Sequence, residues 1–204
     1  MQPFTTLTAV AAPLDIANVD TDKIIPARYL RKFRSAAAGY DPYLFYDLRF
    51  DAAGRERPEF VLNQPAYRNA GILVANVNFG CGSSREGAAY ALTDYGIRSV
   101  IAPSFGDIHY ANEIQNGMLP AMLPEDTCAA LREQLRATPG AQIAIDLEKQ
   151  TITDVNGVAH RFHIDAVYKE RLLKGLDEVG LLLQHLSEIE AFEQRHHSEH
   201  SWLA

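Results

Sequence analysis

The chain has 204 residues, a formal net charge of −7, 47% hydrophobic and 22% charged residues, which suits one globular domain with a sizeable core. The acidic balance argues against nucleic acid as a bulk electrostatic partner, and no apolar run approaches the ~20 residues that span a bilayer. Met1-Gln2-Pro3-Phe4-Thr5 lacks the pattern of a signal peptide, and the two cysteines, Cys81 and Cys128, make no disulfide framework, so a reducing cytoplasm is expected.

Thr5 to Val10 reads as a first strand. Pro13 to Pro26 is turn-rich, and Pro26 then opens a short helical piece, where proline suits the first position. Lys23, Arg28, Arg31, Lys32 and Arg34 fall within twelve residues. They are either a solvated face or a local cluster able to attract a small anion against the global charge. From Ser35 to Gly71, glycines and prolines interrupt the chain, and Tyr40, Tyr43, Phe45, Tyr46 and Phe50 interleave. This predicts a long, partly ordered excursion, a kind of segment that is often functional.

The pattern is cleaner beyond Gly71. Ile72 to Val77 reads as a buried strand, Ser83 to Tyr95 as a helix ended by Gly96, and Ser99 to Ala102 as a second strand. Ser104 to Asn116 reads as a helix ended by Gly117, Ala121 to Leu123 as a short strand, and Glu125 to Ala137 as a further helix. Strands alternating with helices imply a parallel sheet. Gln142 to Leu147, Thr151 to Asp154 and Val158 to Ile164 then alternate in strand period, with Asn156-Gly157 as a hairpin turn. Helices follow over Asp165 to Leu173 and Leu181 to Arg195, the last broken near Ser187, before a polar tail at 196–204.

Gly80-Cys81-Gly82-Ser83-Ser84-Arg85-Glu86 sits between a buried strand and a helix, on the sheet edge where open α/β proteins bind ligands. The spacing of Ser83 and Glu86 fits a capping box, so one reading is only a well-capped helix start. A phosphate cradle fits less well, because Arg85 stands where a third glycine is needed. Cys81-Gly82-Ser83 echoes part of a cysteine-protease signature, but His160 and His163 lie in the expected hairpin. A fourth reading makes a serine the base toward a carbon acid. That requires N–H donors, a helix N-terminus or a cation beside the alkoxide, and Arg85 is such a cation.

The loop resembles the Gly-x-Gly-Ser-Ser-Arg-Glu signature of the aconitase superfamily. The chain as a whole is similar to the small-subunit family of 3-isopropylmalate dehydratase. Asn18-Val19-Asp20-Thr21-Asp22-Lys23-Ile24-Ile25-Pro26, Thr93-Asp94-Tyr95-Gly96, Ile101-Ala102-Pro103-Ser104-Phe105, Asn116-Gly117-Met118-Leu119-Pro120 and Gly175-Leu176-Asp177-Glu178-Val179-Gly180-Leu181 carry the likeness from about Pro13 to Glu193. The resemblance implies a single swivelling three-layer β/β/α domain over residues 1–204, with a mixed, mostly parallel sheet and an antiparallel appendage. It implies a substrate-specificity excursion at about 28–70. It implies a hydro-lyase of leucine biosynthesis that interconverts 2- and 3-isopropylmalate and is active only with a large subunit, as a heterodimer or heterotetramer.

The [4Fe-4S] cluster would be carried by that large subunit and not by this chain, since two separated cysteines cannot ligate it alone. By the same resemblance Ser83 would be the catalytic base, with Ser84 and Arg85 at the substrate carboxylate or oxyanion and Asp22 orienting the loop or an arginine. Arg31, Lys32 or Arg34 would approach the substrate. The family motif continues Arg-Glu-His-Ala-Pro-Trp, whereas this chain has Gly87 and Ala89 for the histidine and proline. That departure keeps open a hydratase for another substituted malate, such as citraconate or homoaconitate. A non-catalytic regulatory or anion-binding subunit is the alternative of another class.

Overall fold

The computed structural model describes residues 1–35, 38–200 and 202. Residues 36 and 37 of the expected excursion, and 201, 203 and 204 of the expected tail, lie outside the described residues. Among those described, the strands are β1 (Thr6–Pro13), β2 (Ile72–Val74), β3 (Ser99–Ala102), β4 (Leu119–Met122), β5 (Gln142–Asp146), β6 (Thr151–Thr153) and β7 (Ala159–Arg161). The helices are α1 (Thr21–Ile24), α2 (Tyr46–Arg49), α3 (Glu86–Tyr95), α4 (Asp107–Gln115), α5 (Glu125–Ala137), α6 (Ala166–Lys174), α7 (Glu178–Leu183) and α8 (Leu186–Glu199).

The strands form one sheet in the order β4-β3-β2-β1-β5-β6-β7. β1 to β4 pair in parallel, with Ala12 opposite Leu73 and Leu73 opposite Val100. β1 meets β5 antiparallel, and β6 and β7 continue that sense. β1 is therefore the seam between a parallel and an antiparallel half.

Successive strand residues point to opposite faces, and each face has its own core. Ala12, Leu73 and Val100 pack with Ala88, Ala91 and Leu92 of α3. Ala11, Ile72, Val74 and Ile101 pack on the other side with Leu131 and Leu135 of α5 and with Ile143 and Ile145 of β5. Parallel strands covered on both faces need apolar residues at every position, which is why Ile72-Leu73-Val74 does not alternate.

Several boundaries differ from expectation for local reasons. β4 runs through Pro120 because it is an edge strand, where a missing N–H is tolerated. α4 starts at Asp107, since Phe105 is engaged in a parallel bridge to Phe79. The last helical stretch breaks at Gln184 and His185 rather than near Ser187, and residues 196–199 complete α8. The excursion is more ordered than its composition suggests. Leu44, Phe45, Phe60, Leu62 and Tyr67 are buried in the α3-side core. The N–H of Phe45 donates to the Ile24 carbonyl at 2.7 Å. Arg49 and Asn63 exchange buried hydrogen bonds of 3.1 and 2.7 Å. At the Asn156-Gly157 turn, Asp154 Oδ1 accepts from the N–H groups of Asn156 and Val158, both at 2.9 Å.

Candidate active site

The chain leaves the parallel half of the sheet at the C-terminal ends of β1, β2 and β3, and the three exits converge. After β2 the chain reaches Phe79, whose N–H donates to Ser104 beyond β3 at 3.0 Å, while the Gly106 N–H donates back to Phe79 at 2.9 Å. Gly80 then donates to Val19, beyond β1, at 2.7 Å, and Thr21 donates to Cys81 at 3.0 Å. The Thr21 hydroxyl, almost wholly buried, donates to the Ser83 carbonyl at 2.9 Å. The serine loop is thus stitched by its own backbone to two other strand exits. This is the crevice in which open α/β sheets bind ligands.

Gly80 and Gly82 have φ of 71° and 88°, a region L-residues rarely occupy. Gly106 has an ordinary φ, but a Cβ there would lie 2.6 Å from the Gly80 carbonyl oxygen. Only glycine lets the two loops approach this closely.

α3 does not begin with a serine cap. Its N-cap is Arg85, in extended conformation, and among the described residues no N-cap side chain bonds to the first turn. The expected capping box between Ser83 and Glu86 is therefore absent. The Ser83 carbonyl is tied to Thr21, which holds the serines one turn away from the helix proper. Ser83 and Ser84 are exposed, and among the described residues neither hydroxyl has a hydrogen-bond partner. Beside them lies the open N-terminus of α3, where backbone N–H groups and the helix dipole favour negative charge.

Arg85 pairs with Asp22 on α1. Asp22 is half exposed and Arg85 largely covered, so the carboxylate fixes the guanidinium at the crevice edge and one of its forks stays available. α1 is itself set by Asp20, whose carboxylate caps it by accepting from the Lys23 N–H at 2.7 Å.

The basic cluster divides. Arg28 pairs with Asp47, and Lys32 donates to the Tyr43 hydroxyl at 2.8 Å while lying over its ring. Arg34 grips Asp94 with both forks at 2.8 and 2.7 Å and stacks on Tyr90 at 4.3 Å. Burial alone would raise the Asp94 carboxyl, but the Arg34 fork and the Tyr40 N–H outweigh it and hold it below its ordinary 3.8. Lys32 and Arg34 are therefore engaged in pinning this arm. Arg31 is exposed and makes no hydrogen bond or ion pair with any described residue.

Gly87, the departure from the family motif, has a structural reason. A Cβ there would lie 2.4 Å from Leu30 Cδ2, so the arm's leucine fills the space a side chain would take. His160 pairs with Asp154 at 3.3 Å on the antiparallel half, away from Cys81.

Sequence reasoning passed over His109 and Glu113, both on α4. They face each other at 2.9 Å with side chains 1% and 0% exposed. An i, i+4 His–Glu spacing is visible in sequence but reads as a surface pair; nothing local signals its burial.

Cys128 is buried in the α5-side core, its thiol pushed up to about 11 by burial, and Cys81 lies in the serine loop. Among the described residues no three His, Cys, Asp or Glu gather to hold a metal ion, so these residues do not fit an iron–sulfur cluster, which needs three or four thiolates.

Residues 1–126 match the aconitase C-terminal domain family, and residues 178–204 match the C-terminal domain of the 3-isopropylmalate dehydratase small subunit. The chain is 51% identical over 202 residues to the 3-isopropylmalate dehydratase small subunit of Rhodospirillum centenum, covering 99% of this chain and 98% of that one. It is 48% identical over 203 residues to that of Phenylobacterium zucineum, covering 100% and 98%. Among solved structures, a 3-isopropylmalate dehydratase from Methanocaldococcus jannaschii superimposes with a TM-score of 0.64 at 28% identity, covering 92% of this chain and 99% of that one.

Proposed function

This chain belongs to the family of 3-isopropylmalate dehydratase small subunits, and from that premise we propose that its serine loop supplies the proton-transferring and carboxylate-binding half of the enzyme's site. The protein is the small subunit of a hydro-lyase of leucine biosynthesis, which interconverts 2- and 3-isopropylmalate.

In this reading Ser83 removes the proton from the substrate carbon and returns it on rehydration. A serine hydroxyl is a poor base in water and works when its alkoxide is stabilised by N–H donors, a helix N-terminus or a cation. Ser84 and the free fork of Arg85 hold a substrate carboxylate, a task that suits a guanidinium because two parallel N–H groups meet two oxygens. Asp22 keeps Arg85 in place. Arg31 is the member of the basic arm whose charge is left for substrate, while Lys32 and Arg34 shape the arm around it. The observation that carries this reading is the pair of exposed serine hydroxyls, unpartnered among the described residues, beside the start of α3 and the anchored Arg85.

The departing hydroxyl needs a partner this chain does not provide. The large subunit would bring it, together with the iron–sulfur cluster that the aconitase relationship implies, and the assembled enzyme would work in the cytoplasm. The test is reconstitution with the large subunit and assay on 2-isopropylmalate and related malates. The small subunit alone should be inactive, and Ser83→Ala should lower kcat about 10²–10⁴-fold with assembly intact. Undiminished turnover by that variant removes Ser83 from the base role. Preference for another substituted malate reassigns the substrate.

A further inference from the structure

Beneath the serine loop lies a polar pair that the reaction described above does not use. A Cβ on Gly80 would fall 2.0 Å from His109 Cδ2 and 2.2 Å from Cγ, so the imidazole lies directly under the Gly80 backbone. The Phe79 ring flanks it, with centroids 5.5 Å apart. Glu113, one turn along α4, approaches His109 Nε2 at 2.9 Å. The approach is poorly angled, so the polar atoms of both side chains lack a hydrogen-bond partner among the described residues. Burial pushes the Glu113 carboxyl up, which favours its holding a proton. Buried polar atoms left without a partner are rare in folded proteins and call for a reason. The fold needs only apolar packing at these places, but the loop resting on them needs a fixed height. Gly80 sits three residues before Ser83, and the loop's own anchor in the core is the fully buried Phe79 ring, which packs beside His109.

We propose that His109, buried against Glu113, is a positioning residue for the catalytic loop: its ring is the floor on which Gly80 rests, and it sets where Ser83 stands relative to Arg85. The proposal rests on Ser83 being the base. The Arg85 side chain is tied to Asp22 while the Ser83 side chain has no partner among the described residues, so loss of the floor moves the base more than the guanidinium of the clamp. The signature is a fall in kcat with KM little changed, which removal of an interaction needed only in the transition state produces.

The test compares two double variants in the reconstituted enzyme, His109→Ala/Glu113→Gln and His109→Phe/Glu113→Gln, with Ser83→Ala in parallel. The two doubles share one polar background and differ only in whether a ring fills the floor. The alanine double should lose about tenfold or more in kcat with KM within about threefold, and the phenylalanine double should recover most of that loss. Equal kcat values for the two doubles, or a loss confined to KM, overturn the floor. Active Ser83→Ala enzyme overturns the reading beneath it; inactive Ser83→Ala with a normal alanine double sinks the floor alone. Should the alanine double fail to assemble, His109→Gln is read by kcat and by the rate at which iodoacetamide alkylates Cys81 in the full-length protein. A positioning role changes both, and unchanged values of both overturn it.

Discussion

The two sides of the crevice are held in opposite ways. The serine loop is fixed by backbone: Gly80 to Val19, Thr21 to Cys81, Phe79 to Ser104, and glycines where the loops touch. The basic arm from Arg28 to Arg34 is fixed by side chains: Arg28 to Asp47, Lys32 to Tyr43, Arg34 to Asp94. Backbone bonds are blind to residue identity, so the loop's geometry survives most substitutions except at its glycines, at Thr21, whose hydroxyl holds the Ser83 carbonyl, and at the His109 ring beneath Gly80. Side-chain bonds change with every substitution, so the arm's shape can be retuned residue by residue. In the proposed reading, a rigid base beside an adjustable wall suits one chemistry applied to differently substituted malates.

The largest break in this contrast is expected at Arg85→Ala, which removes the proposed carboxylate clamp without disturbing the loop's backbone bonds. It should lower kcat/KM at least about 10²-fold, with the melting temperature of the small subunit hardly moved. Gly80→Ala attacks the backbone-held side directly, by driving a Cβ into the His109 ring at positive φ. A loss of about 2–4 kcal/mol in unfolding free energy is expected in denaturant titration.

Asp94→Ala tests the side-chain-held wall. It frees Arg34 and the Tyr40 N–H, and should cost about 1–2 kcal/mol, with the kinetic effect falling on KM. Because the folded-state value of Asp94 is depressed, its contribution is present above its ordinary 3.8 and is lost as pH falls through the lower folded value. The stability gap between wild type and variant should therefore narrow in acid-unfolding curves below about that pH. A gap that stays constant breaks the link between the arm and Asp94. The smallest effect is expected at Gly87→Ala. Helix propensity favours alanine by ~1 kcal/mol, and displacement of the flexible Leu30 side chain offsets part of it. Net stability should stay within about 1 kcal/mol, while KM for the branched substrate shifts.

Much of the fold is readable in the sequence because it is periodic. The strand at Ser99 to Ala102 and the helix at Glu125 to Ala137 match the structure to the residue, since each is a strong local pattern between clear stops. The hairpin at Asn156-Gly157 is equally plain. The start of α3 is not, because the capping-box spacing of Ser83 and Glu86 is a local signal, and the Ser83 carbonyl is taken by Thr21, 62 positions away. The excursion looks loose in sequence because glycine and proline mark breaks, whereas its order comes from aromatic and aliphatic side chains that dock onto α3.

The residue types of the loop, the family and the alternation of strands and helices are all present in the sequence, because each depends on residue type and short spacing. The fate of each charge is not. That Arg34 belongs to Asp94, Lys32 to Tyr43 and Arg85 to Asp22, that Leu30 fills the place of a side chain at Gly87, and that His109 and Glu113 lie buried under Gly80 were decided by tertiary structure alone. These are contacts between elements far apart in the chain or burial imposed by what packs above them, and electrostatics and close packing act on distance in space, which no local pattern encodes.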